Sequence, residues 1–189
     1  MIARALLCLM LACTLPAMAL PALPEVHVKR VDSAGEQVFE VAASGTVKAS
    51  PAHVWKVLTD YEAMPEFVPD LTKNKVTSRT GNRAIIEQAG VARFLFLKRP
   101  INLVVQADEE PMSAIDISLV AGDMKVYACR WQLTALPDGG TRVTYTGKMV
   151  PKFYVPGMLG SNIISRDIER MMKAVLERLE QPVQPLQQR

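Results

Sequence analysis

The chain has 189 residues, enough for one domain of ordinary size with a sizeable core once a leader is removed. Hydrophobic residues at 49% and charged residues at 22% exclude a disordered chain. A formal net charge of +3 with no basic run argues against nucleic acid as a partner and leaves a mild attraction to anionic lipid.

Residues 1–19 read as a signal peptide. Arg4 supplies the positive start, Ala5 to Leu15 an apolar stretch, and Pro16 its break. Ala17-Met18-Ala19 matches the small-x-small cleavage pattern, so the mature chain starts at Leu20 and is periplasmic or secreted. Two alternatives stay open: an uncleaved anchor helix, for which the apolar run is short, and lipidation at Cys13. Losing Arg4 with the leader takes the formal charge from +3 to +2. Cys8 and Cys13 leave as well, so Cys129 stands alone and no internal disulfide forms. Its place in an apolar strand marks it as a buried small hydrophobe.

Residues 20–36 are expected to be poorly ordered, with Pro21 and Pro24 discouraging regular structure. From Gln37 to Lys48 the pattern alternates, with Phe39, Val41, Ala43, Gly45 and Val47 on one face of a strand. Ser50-Pro51 starts a helix that runs to about Asp60, with Val54, Val57 and Leu58 on one side. Met64 to Val68 predicts a second short helix closed by Pro69.

A long antiparallel series follows. Leu71 to Arg79 turns at Gly81-Asn82 into Arg83 to Ala89. Phe94 to Asp108 is interrupted by Pro100 and regains alternation at Ile101, Leu103, Val105 and Ala107. Ser113 to Val120 places Ile115, Ile117 and Leu119 opposite Asp116 and Ser118. After Ala121-Gly122-Asp123, Met124 to Ala135 groups Tyr127, Cys129, Trp131 and Leu133. Pro137-Asp138-Gly139-Gly140 is a hairpin turn into Thr141 to Val150, where Val143, Tyr145, Gly147 and Met149 share a face. A long helix runs from about Met158 to Glu180, with Ile164, Ile168, Met171, Met172, Val175, Leu176 and Leu179 in its apolar stripe. Residues 181–189, with Pro182 and Pro185, read as a disordered tail.

Strands joined by short turns pair as antiparallel neighbours, and a one-sided apolar sheet must be covered. The fold class is therefore α+β. A curved antiparallel sheet of about seven strands wraps a long C-terminal helix, with two short helices after the first strand, over residues 37–180.

With that order in hand, the sequence resembles the START-like (SRPBCC) superfamily, in its polyketide cyclase/dehydrase and coenzyme Q-binding branch. The resemblance is carried by Ala49-Ser50-Pro51-Ala52-His53-Val54-Trp55-Lys56-Val57-Leu58-Thr59-Asp60-Tyr61 and Met64-Pro65-Glu66-Phe67-Val68-Pro69-Asp70. Gly122-Asp123-Met124, Trp131-Gln132-Leu133, Gly140-Thr141-Arg142-Val143-Thr144-Tyr145 and the Pro151-to-Pro156 loop add to it. It covers roughly Val38 to Glu180. The first segment is specific for the superfamily and uninformative about the ligand. Members share a helix-grip fold with a deep cavity between sheet and final helix, and range from lipid and quinone carriers to cyclases.

The residues offer little chemistry. His27 and His53 are scattered, and no metal-ligand spacing, phosphate loop or nucleophile elbow is present. Glu87, Asp116 and Arg130 fall on faces opposite apolar neighbours and point outward. No catalytic residue, metal or cofactor is assigned. Taken with the resemblance, the expected cavity lining is Phe67, Ile86, Phe94, Leu103, Val105, Ile117, Leu119, Tyr127, Trp131, Tyr145, Met149, Ile164, Ile168 and Met171. Tyr127, Trp131 and Tyr145 are its polar handles, and the methionines give an adaptable wall. Ten CH₂ groups of a ligand tail contribute about 8 kcal/mol on burial. The expected function is therefore non-enzymatic binding or transfer of a lipid, quinone or similar hydrophobic molecule by a monomer. A cyclase-type enzyme and a protein-interaction module with a filled cavity are the alternatives. Phe94-Leu95-Phe96-Leu97 and Phe153-Tyr154-Val155, beside Lys98 and Arg99, are candidate sites of transient membrane contact, or ordinary strand and loop core.

Overall fold

The computed structural model describes residues 23–33, 35–94, 97–153, 155 and 157–182. Its elements run β1 (Glu25–Ser33), β2 (Glu36–Val47), α1 (Pro51–Thr59), a 3-10 segment (Tyr61–Glu66), β3 (Leu71–Thr80), β4 (Arg83–Phe94), β5 (Leu97–Glu110), β6 (Ala114–Gly122), β7 (Met124–Ala135), β8 (Thr141–Pro151) and α2 (Gly157–Leu179). The strands form one antiparallel sheet in the order β1-β2-β8-β7-β6-β5-β4-β3. From β3 to β8 the chain is a meander. The β1–β2 hairpin closes the sheet by laying β2 along β8, with Phe39 opposite Met149 and Val47 opposite Thr141.

Eight strands stand where about seven are expected from the sequence. The extra one is β1, inside the stretch read as poorly ordered. Pro21 and Pro24 lie before it, and it pairs with β2 over its whole length, from Glu25 opposite Ser44 to Ser33 opposite Glu36. Its outward charges, such as Lys29 and Asp32, suit an edge strand, which must discourage further pairing. Those same charges hide the alternation of Val26 and Val28 from a hydropathy reading. The other edge, β3, carries Lys73, Lys75 and Arg79 on exposed positions.

Local chemistry fixes the remaining elements. Ser50 Oγ accepts a hydrogen bond from the His53 N–H at 3.4 Å, and Pro51 occupies the first helical turn of α1. Gly81-Asn82 makes a two-residue turn between Thr80 and Arg83. In the β7–β8 hairpin, Asp138 Oδ1 accepts from the Gly140 N–H at 3.1 Å.

The sheet curves round α2. Met172, Leu176 and Leu179 are at most 1% exposed, and each such burial contributes roughly 1.5–3 kcal/mol. Gly45 of β2 permits the close approach: a Cβ there would collide with Leu176 Cδ1. Val47, Val54, Val57, Leu58 and Val143 complete a solid core at this end. Among the described residues, no helix is long and apolar enough to cross a membrane. Residues 1–22 and 183–189, which include the signal-peptide reading and most of the expected tail, lie outside the described residues.

Candidate functional site

A hollow of about 140 Å³ lies between the sheet and α2. β6, β7 and β8 supply Ile115, Ile117, Tyr127, Cys129, Trp131 and Tyr145 from alternate positions facing inward. Leu58 closes it from α1, Tyr61 and Met64 from the 3-10 segment, and Val68, Leu71 and Gln88 from the β3–β4 side. Met171 and Val175 of α2 form the opposite wall.

Of the fourteen residues expected to line a cavity, Ile117, Tyr127, Trp131, Tyr145 and Met171 do so. Ile86 and Val105, both 0% exposed, are solid core between β4 and β5, as is Leu103. Ile168 is buried on α2 and does not line the hollow. Leu119, Met149 and Ile164 are partly buried packing around the core. Phe67 points to the last turn of α2, where the Arg178 guanidinium stacks over its ring at 5.9 Å. The Phe94 side chain is outside the described residues. Alternation gives the face a side chain takes. It does not give the depth along the strand at which the sheet stands away from the helix. Of the lining residues outside that expected set, Tyr61, Met64 and Val68 come from the segment joining α1 to β3, and the others from α1, β3, β4, β6, β7 and α2. Gln88 was legible, since it shares a face with Ala84 and Ile86.

The hollow has two polar places in an apolar wall. At one, Tyr127, Cys129 and Tyr145 hydrogen-bond to one another. Gly147 leaves room for them: a Cβ there would stand 3.1 Å from Cys129 Cβ and 3.5 Å from Tyr145 Oη. Burial pushes the Cys129 thiol up to about 11. Burial first, then its two neighbours, raises Tyr145. The charge of an ionised Cys129 first, then burial, raises Tyr127. All three groups therefore stay protonated at neutral pH and serve as hydrogen-bonding groups, not as bases. Trp131 packs on Tyr145 with ring centroids 4.8 Å apart.

The other polar place is Gln88. Its Nε2 donates to Asn74 Oδ1 at 2.9 Å, and Asn74 Nδ2 donates to the Tyr61 carbonyl at 2.7 Å. Tyr61 turns its own hydroxyl away from the hollow, donating to Glu109 Oε1 at 2.8 Å. Arg79 holds that carboxylate at 3.0 and 3.1 Å. Among the described residues no Asp, Glu, His, Lys or Arg lines the hollow. Glu87 faces outward, paired with Lys73 at 2.7 Å, and Arg130 pairs outside with Glu110 and Asp116.

An ionic latch crosses the rim. Asp70 takes a left-handed conformation (φ 63°) between Val68 and Leu71. Its carboxylate accepts from Arg93 Nε at 2.6 Å and from an Arg170 nitrogen at 2.9 Å, tying α2 to the β3–β4 edge. The Arg93 hydrogen bond, joined by Arg170, holds Asp70 below the usual carboxylate range. Val155, expected as a candidate membrane-contact residue, is 2% exposed and packs beside Phe39 and Gly160. It is therefore core. The Phe153 ring is covered by the Arg99 guanidinium at 4.5 Å, and the side chains from Phe94 to Leu97 and the residue Tyr154 lie outside the described residues.

A wider groove of about 930 Å³ is open to solvent and bordered by Glu40, Asp116, Arg130 and Lys148. Those charges already pair, Lys148 with Glu40 at 3.0 Å and Arg130 with Asp116. The enclosed hollow is the better ligand site because it removes apolar surface from water. Among the described residues no cluster of His, Cys, Asp and Glu could hold a metal ion.

Known structures share this architecture. A START superfamily protein from Mycobacterium smegmatis is 18% identical, with a TM-score of 0.65 over 75% of this chain and 97% of the other. A STAR-related lipid transfer protein from Xanthomonas axonopodis is 18% identical, with a TM-score of 0.63 over 82% and 99%. The Zhui aromatase/cyclase of a Streptomyces species is 15% identical, with a TM-score of 0.67 over 78% and 96%. At such identities the likeness is one of fold. No curated protein matches the sequence. The family described as polyketide cyclase / dehydrase and lipid transport matches residues 47–176, from the end of β2 to Leu176 of α2. The chain belongs to that family, a START-like helix-grip protein.

Proposed function

We propose that this protein binds and carries a hydrophobic small molecule, a lipid, quinone or similar compound, without chemically changing it. The observation that carries the reading is the wall of the hollow, which is apolar apart from neutral hydrogen-bonding groups. General acid–base work needs a group whose proton affinity sits near the working pH. Tyr145 does turn inward, but a raised hydroxyl can donate a hydrogen bond and cannot serve as a base at neutral pH. The family description covers both cyclases and lipid transport, and the lining favours transport.

The test is extraction of the purified mature protein with organic solvent, followed by mass spectrometry. The expected result is a stoichiometric apolar compound released unchanged. Conversion of a bound aromatic precursor into a cyclised product would sink the reading. We further propose export through the leader at residues 1–19. Intact mass of the protein from a periplasmic fraction should show Leu20 as the first residue, and a retained leader or a lipid on Cys13 would contradict it.

A further inference from the structure

The volume and the polar groups of the hollow together restrict what it can hold. A dry protein cavity of about 150 Å³ accommodates a benzene ring, and drug-sized ligands occupy pockets of roughly 300 Å³ or more. At about 140 Å³ this hollow matches one ring and not a long acyl chain.

The amide orientations at the Gln88 end follow from donor and acceptor chemistry. The Tyr61 carbonyl can only accept, so the Asn74 amide must present its nitrogen to it. That leaves Asn74 Oδ1 for Gln88, and Gln88 must present nitrogen in turn. Gln88 Oε1 is then the group left over, on a residue that lines the hollow, and among the described residues nothing donates to it. An acceptor on an otherwise apolar wall is best matched by a donor, so this place favours a hydroxyl or N–H on the ligand.

The opposite chemistry holds at Tyr127, Cys129 and Tyr145. The two O–H groups and the S–H group stay protonated at neutral pH, and each can turn its proton from a neighbour toward a ligand oxygen. A carbonyl-type oxygen is a natural partner for such a donor. The rest of the wall includes Leu58, Val68, Ile115, Ile117, Trp131 and Met171, which suits a flat apolar body.

From this we infer that the ligand is a compact, single-ring molecule or one of similar bulk, with a hydroxyl or N–H toward Gln88 and a carbonyl-type oxygen toward Tyr127 and Tyr145. The inference rests on the carrier reading and narrows it from hydrophobic molecules in general to small bipolar ones.

Four isosteric probes test it by calorimetry on the unaltered protein: 4-hydroxyacetophenone, 4-isopropylphenol, 4-methylacetophenone and 4-isopropyltoluene. They present both polar functions, only the hydroxyl, only the carbonyl, and neither. The expected order is the bifunctional probe first and the hydrocarbon last. Each hydrogen bond is worth about threefold to tenfold in affinity, because a site built for a polar group rejects the analogue that leaves its own groups unpaired. Gln88→Leu should erase the advantage of the phenolic hydroxyl and spare that of the carbonyl. Tyr145→Phe should do the reverse, with thermal melts confirming that both variants fold.

Tighter binding of 4-isopropyltoluene than of 4-hydroxyacetophenone would overturn the inference and leave the carrier reading intact. So would failure of all four probes while a long-chain lipid copurifies with the protein. If the probes fail and nothing copurifies, both readings fall together.

Discussion

Neighbouring side chains in the C-terminal half of α2 meet the sheet in different ways. Toward the C-terminus, Leu176 drops onto Gly45 of β2, and Leu179, Val47 and Val54 pack with no space between them. One turn earlier, Met171 and Val175 face β6, β7 and β8 across a hollow. The same helix and the same sheet thus give solid core under Leu176 and Leu179 and an opening under Met171 and Val175. Backbone approach decides the outcome. A glycine under the helix lets it sit down, while Tyr145, Trp131 and Tyr127 hold it off. The lesson is that a helix-grip protein gets its cavity from where its bulky inward side chains stand along the strand.

Truncation probes this contrast most strongly. Leu176→Ala should cost about 2–5 kcal/mol, because the rigid seat around Gly45 cannot collapse into the gap. Met171→Ala, on the wall of the hollow, should cost clearly less, since part of its surroundings is already empty. Urea unfolding of the two variants measures the difference. Equal losses would mean that the hollow is as tightly packed as the seat.

The latch at the rim comes next in size. Asp70 is 14% exposed on its side chain, while Arg93 and Arg170 are 44% and 45% exposed. Solvent around the arginines screens the pair, so Asp70→Asn should cost on the order of 1 kcal/mol. The pH dependence has a definite sign. The folded-state carboxylate is held below its ordinary value. Its stabilisation is thus full above the unfolded pKa of about 4 and fades as pH falls below it. In Asp70→Asn that acid-side decline should be shallower. An unchanged acid profile would show that the latch contributes nothing to seating α2.

Much of this was legible in the sequence. Ser50-Pro51 marks the start of α1 by a cap and a fixed φ, and Pro137 to Gly140 marks the last hairpin by turn chemistry. The stripe on α2 gives the helix and its buried face. The hidden parts share a cause: they depend on partners far away in the chain. β1 is hidden because Pro21 and Pro24 argue against regular structure across residues 20–36, yet both precede the strand, which is held by pairing with β2. Ile86 and Val105 were read as lining because alternation cannot tell core from cavity wall. Tyr61, Met64 and Val68 enter the site through a 3-10 segment whose position is set by β3 and Asn74, not by any local periodicity.

The comparison that ends on the smallest effect separates seat and hollow most directly, because it adds one methylene to each. Val143 is 0% exposed and pairs with Gly45 beneath the seat. Val143→Ile must push against close-packed neighbours, at a cost of about 1–3 kcal/mol. Val175 is 2% exposed but borders the hollow. There the same extra carbon has somewhere to go, so Val175→Ile should change stability by less than about 1 kcal/mol in either direction. The added carbon also takes part of a space of about 140 Å³, so affinity for the ring-sized probes should fall while stability holds. Stability and binding would then separate at Val175 and not at Val143, which is the behaviour of a wall rather than a core. A large stability loss at Val175 would mean that the helix is seated as tightly there as over Gly45.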